Sequence, residues 1–368
     1  MFEERRKKLN KLLKEKNYDV VLIDSPWNLY YYTGFTGGEA MLVMPVNVNY
    51  SSEDIRLITD SRYYEQVEKE CPDIELVRLD NITYIQALED MCEKLYNMNN
   101  KANGKIVIEG TMSLSRYIKL KDIWGEKRLV VDSDTINECR MIKDEGELDL
   151  LRRAESIGDE AFTHILNFIK PGISERDISL ELEFYMKKQG ASKLSFDTIV
   201  ASGSNSSMPH AQVTDRKIQN GDFVTMDFGC VYKGYCSDMT RTVAVGQPND
   251  EMKKIYKIVL DANLRAMDGI RAGVRCCDID ALARDYIKEN GYGEYFGHGL
   301  GHGVGLEIHE EPRFSPKCDV ITKAGMAITD EPGIYLPGRF GVRIEDLCVV
   351  KEAGYERLSN SPKELIIL

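Results

Sequence analysis

At 368 residues and 43% hydrophobic content, the chain is long enough for about two domains with sizeable cores. Its 60 acidic side chains outnumber 48 basic ones, and the formal net charge of -12 argues against nucleic acid or an anionic membrane as the main partner. No run reaches the roughly 20 apolar residues of a bilayer span, the start at Met1 turns charged without an apolar stretch, and nine cysteines lack disulfide-scaffold spacing; a cytoplasmic protein with free thiols is expected.

In chain order, a charged amphipathic segment over 4–17 precedes apolar strands at 19–23, 40–44, 56–59, 75–79, 105–108 and 128–131. Helical patterns near 61–71, 83–97 and 113–122 fall between them, so residues 1–135 read as an α/β domain. Charged residues between 133 and 145 interrupt the apolar pattern and open a second domain, 136–368. A long amphipathic helix fits 145–168, and Pro171-Gly172 ends it before a second helix over 174–189. Ser174 and Asp177 resemble a weak capping box, because Asp reaches less far than Glu. Past Ile199 the texture changes to short strands with glycine turns, broken by helices near 249–268 and 278–289. The second domain is therefore expected to be α+β, with helices covering a curved, mainly antiparallel sheet. Its two helix pairs, each with a glycine-bearing link and each leading to a histidine-bearing strand region, hint at an internal duplication.

Five side chains stand out as metal-ligand candidates: Asp227, Asp238, His302, Glu331 and Glu345. A hairpin with the two-residue loop Tyr232-Lys233 sets Asp227 directly opposite Asp238, about 5 Å apart on one face, where two carboxylates repel unless cations sit between them. Gly234 stands one place late for that turn, so a bulge can shift the register, and a solvated hairpin with two surface aspartates is the alternative. Glycine at 297, 299, 301, 303 and 305 gives an extended strand one bare face for close backbone packing and puts His298 and His302 on the other. Four extended residues span about 13 Å, so one histidine is expected to ligate while the other supports it or touches substrate. An imidazole among carboxylates suits a borderline divalent metal better than calcium. Pro332 holds Glu331 extended, Arg343 and Glu345 share a face at period two, and Asp330 and Asp346 have the opposite parity. Cys236, two places before Asp238, is either a thiolate facing the metal side or a small buried hydrophobe.

The runs Ala201–His210, Met226–Gly229, Ser237–Arg241, His298–Glu310, Asp330–Tyr335 and Val342–Asp346 occur in order over about 140 residues. They resemble the Xaa-Pro peptidases of the aminopeptidase P and prolidase family, an M24-type metallopeptidase group whose catalytic domain is the pita-bread fold. Asn28–Gly37 is similar to a run common in that family's first domain. The resemblance implies two divalent ions, Mn2+ foremost with Co2+ or Zn2+ as alternatives, on Asp227, Asp238, His302, Glu331 and Glu345, with Asp238 and Glu345 bridging. It also implies substrate-contacting or charge-stabilising roles for His210, His298 and His309, a place for Arg343 beside the metal-bound glutamate, and proton transfer by Glu331. His164 is expected to be plain helix surface.

The implied reaction is hydrolysis of the bond between an N-terminal residue and proline by a hydroxide bridging the ions. Short peptides with proline second are the expected partners, together with a second copy of the chain in a homodimer whose first domains help close the pockets. Phe196, Met208, Leu306 and Tyr335 are candidate walls for the proline ring. A strict Xaa-Pro dipeptidase is the alternative to aminopeptidase P. Methionine aminopeptidase resembles the ligand set but commonly has one domain, and a non-catalytic peptide-binding module would lack the metal cluster.

Overall fold

Continuous apolar runs must be covered on both faces, and strands β1 (Val20–Ile23) and β2 (Met41–Pro45) are buried at every position. The computed structural model describes residues 1–46, 51–99 and 104–368. The chain divides into two compact units, Met1–Arg140 and Met141–Leu368. The first begins with α1 (Phe2–Glu15), β1, α2 (Pro26–Thr33) and β2, then β3 (Arg56–Thr59), α3 (Tyr64–Glu70) and β4 (Glu75–Arg78). It continues through α4 (Tyr84–Asn99), β5 (Ile106–Ile108), α5 (Leu114–Trp124), β6 (Leu129–Val131) and α6 (Ser133–Met141), the last running into the second unit.

Among the described residues these strands form one mixed sheet in the order β4-β3-β2-β1-β5-β6, with β2 antiparallel to both neighbours and the other pairs parallel. Leu22, Val43, Ile58, Leu88, Ile106 and Leu120 pack its core. Helices α2 and α6 were not expected. Pro26 at the start of α2 and Gly34 beyond its end, at φ 84°, are ordinary helix punctuation around a tyrosine-rich run too short to show a period. In α6, buried Ile136 and Cys139 lie among the polar residues read as an interruption.

The second unit opens with α7 (Glu145–Ile165) and α8 (Glu175–Lys188). Both start with full capping boxes; in α8 the Ser174 hydroxyl accepts from Asp177 N–H at 3.1 Å while Asp177 accepts from Ser174 N–H at 2.8 Å, so the shorter acid does reach. Strands β7 (Lys193–Leu194), β8 (Ile199–Ser202), β9 (Asp222–Phe228), β10 (Cys230–Tyr232), β11 (Tyr235–Cys236) and β12 (Met239–Val245) follow. The pattern then recurs with α9 (Asp250–Gly269) and α10 (Cys276–Glu289), leading to β13 (Gly301–Gly303), β14 (Glu310–Phe314), β15 (Ala327–Asp330), β16 (Gly333–Leu336), β17 (Phe340–Arg343), β18 (Asp346–Lys351) and β19 (Gly354–Arg357). All strand pairs described in this unit are antiparallel. One core joins α7 and α8 to β9 and β12 through Ile157, Phe162, Leu182, Met226 and Val243; another joins α9 and α10 to β15, β17 and β18 through Val259, Ile279, Ile328, Val342 and Val350. This is the α+β architecture with antiparallel sheets expected of the pita-bread fold. Among the described residues no helix is long and apolar enough to cross a membrane.

Two long hairpins position the site. In the first, Tyr232 pairs with Tyr235 across a Lys233-Gly234 turn, and further along Asp227 pairs with Thr240. The expected register is therefore wrong by two residues: Asp238 is a diagonal neighbour of Asp227 instead of its direct partner. A type I′ turn needs positive φ at both central residues, and Lys233 (47°) with Gly234 (90°) supplies it, so glycine's place sets the loop. In the second hairpin Asp330 pairs with Asp346 and Gly333 with Arg343. The same count across the gap sets Glu331 against Glu345.

Candidate metal centre

Each ligand candidate sits where regular pairing stops. Asp227 is near the end of β9 and Asp238 lies between β11 and β12, while Glu331 and Glu345 occupy the breaks between β15 and β16 and between β17 and β18. Pro332, which has no N–H to donate, marks the third of these breaks. His302 is at the centre of β13, where the pairing with β14 shifts register beside Gly303. A side chain at Gly301 would overlap the Thr329 carbonyl and one at Gly303 would lie 2.5 Å from that of Glu311, so the bare face expected of this strand is used for backbone packing. The strand is shorter than expected, and His298 lies before it.

All five candidates line one cavity of about 460 Å³. Ligand atoms of Asp238, His302 and Glu345 lie within 4.8 Å of one another, and all three residues are buried. His302 Nδ1 is 3.1 Å from the Gly303 carbonyl, which can only accept, so the proton is on Nδ1. The Nε2 lone pair then points at carboxylate oxygens of Asp238 and Glu331, 3.4 and 3.5 Å away. Burial pushes the ring down to about 3, which keeps it neutral. Lone pairs turned on one another in this way call for a cation between them.

The carboxylates carry the same signature. Burial and then the charges of Glu345, Asp227 and Glu331 hold Asp238 well above the ordinary carboxylate range; burial, then Glu331 and Asp227, does the same to Glu345. Glu331 is pushed up to about 8, chiefly by burial, against the pull of Arg343. The buried Asp227 Oδ1 has no hydrogen-bond partner among the described residues. Hard oxygen donors with one imidazole, short of positive charge and with an orphaned oxygen among them, fit a divalent metal centre.

Surrounding groups hold these side chains in place. Arg343 donates to Asp227 Oδ2 at 2.6 Å and to the Thr240 hydroxyl at 3.0 Å, and Thr240 donates to Glu345 Oε2 at 2.7 Å. Thr329 accepts from His302 N–H at 3.0 Å and donates to Glu331 Oε1 at 3.4 Å. Glu155, fully buried on α7, accepts from Asp238 N–H at 3.2 Å. Sequence reasoning missed Thr240, Thr329 and Glu155; a position two residues before a candidate ligand was an available signal for Thr329 alone. It also missed Arg313, a cation on the cavity wall.

His298 lines the cavity, and its Nδ1 donates to the Gly299 carbonyl at 2.8 Å. Its Nε2 accepts from Tyr335 OH at 3.0 Å, and Tyr335 in turn accepts from Arg343 at 2.9 Å. Burial pushes His298 down to about 4, so the ring is neutral and both nitrogens are engaged. His210 and His309 stand exposed on the wall, the latter edge-on to His302 at 4.4 Å between centroids. His164 lies away from the cavity, stacked on Tyr185.

Of the expected wall, Phe196 lines the cavity. Met208 is exposed, and Leu306 and Tyr335 lie outside the lining; Ile199, Pro209 and Ile308 take their places. Cys236 is also outside it: its thiol donates to the Leu306 carbonyl and burial pushes it up to about 12, so it is a small buried hydrophobe, not a thiolate ligand. The eight described cysteines are free. Asp330 and Asp346 point away from the cavity, as their parity implied.

Comparisons with known proteins agree with this geometry. Residues 149–352 match the model of metallopeptidase family M24, and residues 5–142 match the creatinase/prolidase N-terminal domain. An Xaa-Pro dipeptidase of Pyrococcus furiosus is 38% identical over 99% of this chain and 100% of its own. Among solved structures, an Xaa-Pro dipeptidase from Bacillus anthracis superposes with a TM-score of 0.93 at 43% identity, covering 100% of both chains. An X-Pro aminopeptidase from Thermotoga maritima does so at 0.86 and 37% identity, covering 98% of this chain and 99% of that one.

Proposed function

The chain belongs to metallopeptidase family M24, and we propose that it hydrolyses the bond between an N-terminal residue and proline in short peptides. Two divalent cations, Mn2+ foremost, would be held by Asp227, Asp238, His302, Glu331 and Glu345. When bound, such ions supply Lewis acidity and lower the pKa of water. The observation that carries the reading is the convergence of Asp238, His302 and Glu345 atoms within 4.8 Å, with the His302 lone pair turned inward.

The protein's own groups supply the rest. Glu331 Oε1 accepts the proton of the attacking water and returns it to the leaving proline nitrogen. His309 donates to the carbonyl oxygen as it gains charge, and His210 contacts the substrate chain. His298, fixed by Gly299 and Tyr335, shapes the wall and keeps Tyr335 against Arg343. Arg343 holds Asp227 directly and Glu345 through Thr240, so the two hairpins keep one geometry. A bond to proline has no N–H, so recognition relies on an apolar seat for the ring, for which Phe196, Ile199 and Ile308 are placed.

Arg313 on the same wall favours a dipeptide, because a free proline carboxylate would give it an ionic partner that a longer peptide lacks. The first unit is proposed to help close the pocket within a homodimer. Hydrolysis of Ala-Pro and Ala-Pro-Ala in Mn2+ tests the reading, with light scattering for the dimer. Cleavage of Ala-Pro alone assigns a strict dipeptidase, preferential cleavage of the tripeptide assigns aminopeptidase P, and cleavage of neither refutes Xaa-Pro activity.

A further inference from the structure

Asp330 and Asp346 directly precede Glu331 and directly follow Glu345. They face each other across β15 and β18, and both are fully buried on the side of the strand pair away from the cavity. Neither oxygen of Asp330 has a hydrogen-bond partner among the described residues. Two buried carboxyl groups directly opposed on paired strands crowd one another unless a proton or a cation lies with them.

Two buried cations lie against this pair. Arg241 donates to Asp346 Oδ1 at 2.7 Å and also to the Glu345 carbonyl, and it is held by the Ser361 and Pro362 carbonyls at 2.9 and 3.1 Å. Lys363 Nζ lies 2.6 Å from Asp346 Oδ2 and donates to Asn263 Oδ1 at 2.7 Å. The Asn263 amide in turn donates to the Asp330 carbonyl at 3.1 Å, one residue before Glu331. Tyr256 fixes the Lys363 main chain through its carbonyl at 2.8 Å.

We propose that Lys363 is a positioning residue for the metal centre: its ammonium offsets the Asp330/Asp346 pair from beneath, so that the strand pair can present Glu331 and Glu345 together on its other side. The proposal rests on the metal reading above. Arg241 makes more bonds to main-chain carbonyls and is the less clean target, whereas Lys363 acts mainly through charge and Asn263.

The test is Mn2+ binding by the metal-stripped full chain, measured by calorimetry on wild type, Lys363→Met and the double variant Lys363→Met/Asp330→Asn, with folding checked by circular dichroism. Lys363→Met is expected to weaken Mn2+ binding about tenfold or more, and the added Asp330→Asn to restore it to within about threefold of wild type, since one acid of the opposed pair is gone. A role confined to general stability would lower the melting temperature without this loss and recovery of affinity. Wild-type affinity in Lys363→Met, or a double variant as weak as the single one, overturns the proposal. Should Lys363→Met not fold, the double variant decides: folding with normal Mn2+ binding upholds the proposal, and failure to fold overturns it. A wild-type chain that binds no Mn2+ removes the metal reading itself, whereas tight binding by both wild type and Lys363→Met removes the Lys363 proposal alone.

Discussion

The two hairpins of the second unit reach the same cavity by different registers. In the first, Asp227 faces Thr240 and lies diagonal to Asp238; in the second, Glu331 and Glu345 meet head on across a break in pairing. The shorter aspartates come from the hairpin whose acids are offset, and the longer glutamates from the one whose acids are opposed. Thr240 then joins the two, since its hydroxyl on the first hairpin donates to Glu345 on the second. Convergence on a metal thus depends less on a repeated spacing than on where each ladder stops.

The largest effects should come from the ligands themselves. Asp238→Asn in the first hairpin and Glu345→Gln in the second are each expected to lower kcat on Ala-Pro by about a thousandfold, several kcal/mol of lost charge stabilisation. Near-normal turnover in either variant would remove that hairpin from the centre. Next comes the group that spans both: Arg343→Met should cost about 10- to 100-fold in kcat/KM, and Thr240→Val less, about tenfold. If Thr240→Val costs more than Arg343→Met, the link runs through the hydroxyl alone.

The turns offer a smaller contrast. Gly234 (φ 90°) and Gly338 (φ 70°) both adopt left-handed backbone, so alanine at either should lower stability by about 1–2 kcal/mol in urea unfolding while leaving KM for Ala-Pro unchanged. A drop confined to Gly234→Ala would mark the first turn as the stricter one. The smallest effect lies within the second unit, where Arg152 on α7 bonds Glu356 on β19 at 2.7 Å. Arg152, and with it Lys351, pulls Glu356 down to about 2. A lowered carboxylate stabilises above its unfolded value of about 4.3 and loses that contribution as pH falls towards 2. Both side chains are about a third exposed, so screening holds the gain to about 0.5 kcal/mol. Glu356→Gln should therefore unfold at slightly lower urea at pH 7, with the gap closing between pH 5 and 2; a gap that widens in acid contradicts the assignment.

Much of the fold was legible because its signals are local. The strands of the first unit and the four long helices of the second are periodic runs with punctuation at their ends, and residues 4–17 and 249–268 differ from α1 and α9 only at the margins. Helices α2 and α6 hid because one is short and aromatic and the other sits among charges. For the site, Asp227, Asp238, His302, Glu331 and Glu345 were singled out by residue type and neighbours, and all line one cavity. The register between Asp227 and Asp238 was misjudged because it hangs on which two residues take positive φ, a one-place matter. Thr240 and Glu155 stayed hidden because each acts through a partner distant in sequence: Thr240 meets Glu345 and Glu155 meets Asp238 N–H only after folding. The pocket wall failed similarly, as Met208 had the right chemistry but faces solvent.

The glycines of the His302 strand set how far this enzyme can be redesigned. A library randomised at 297, 301 and 303 and selected for growth on a proline dipeptide should return glycine at 301 and 303, where any side chain runs into the carbonyls of Thr329 and Glu311, and a broad mixture at 297, where a methyl would meet open space. Altering metal preference through residues flanking His302 on its own strand is thus closed to evolution in the laboratory, and new ligands must enter from the facing strands.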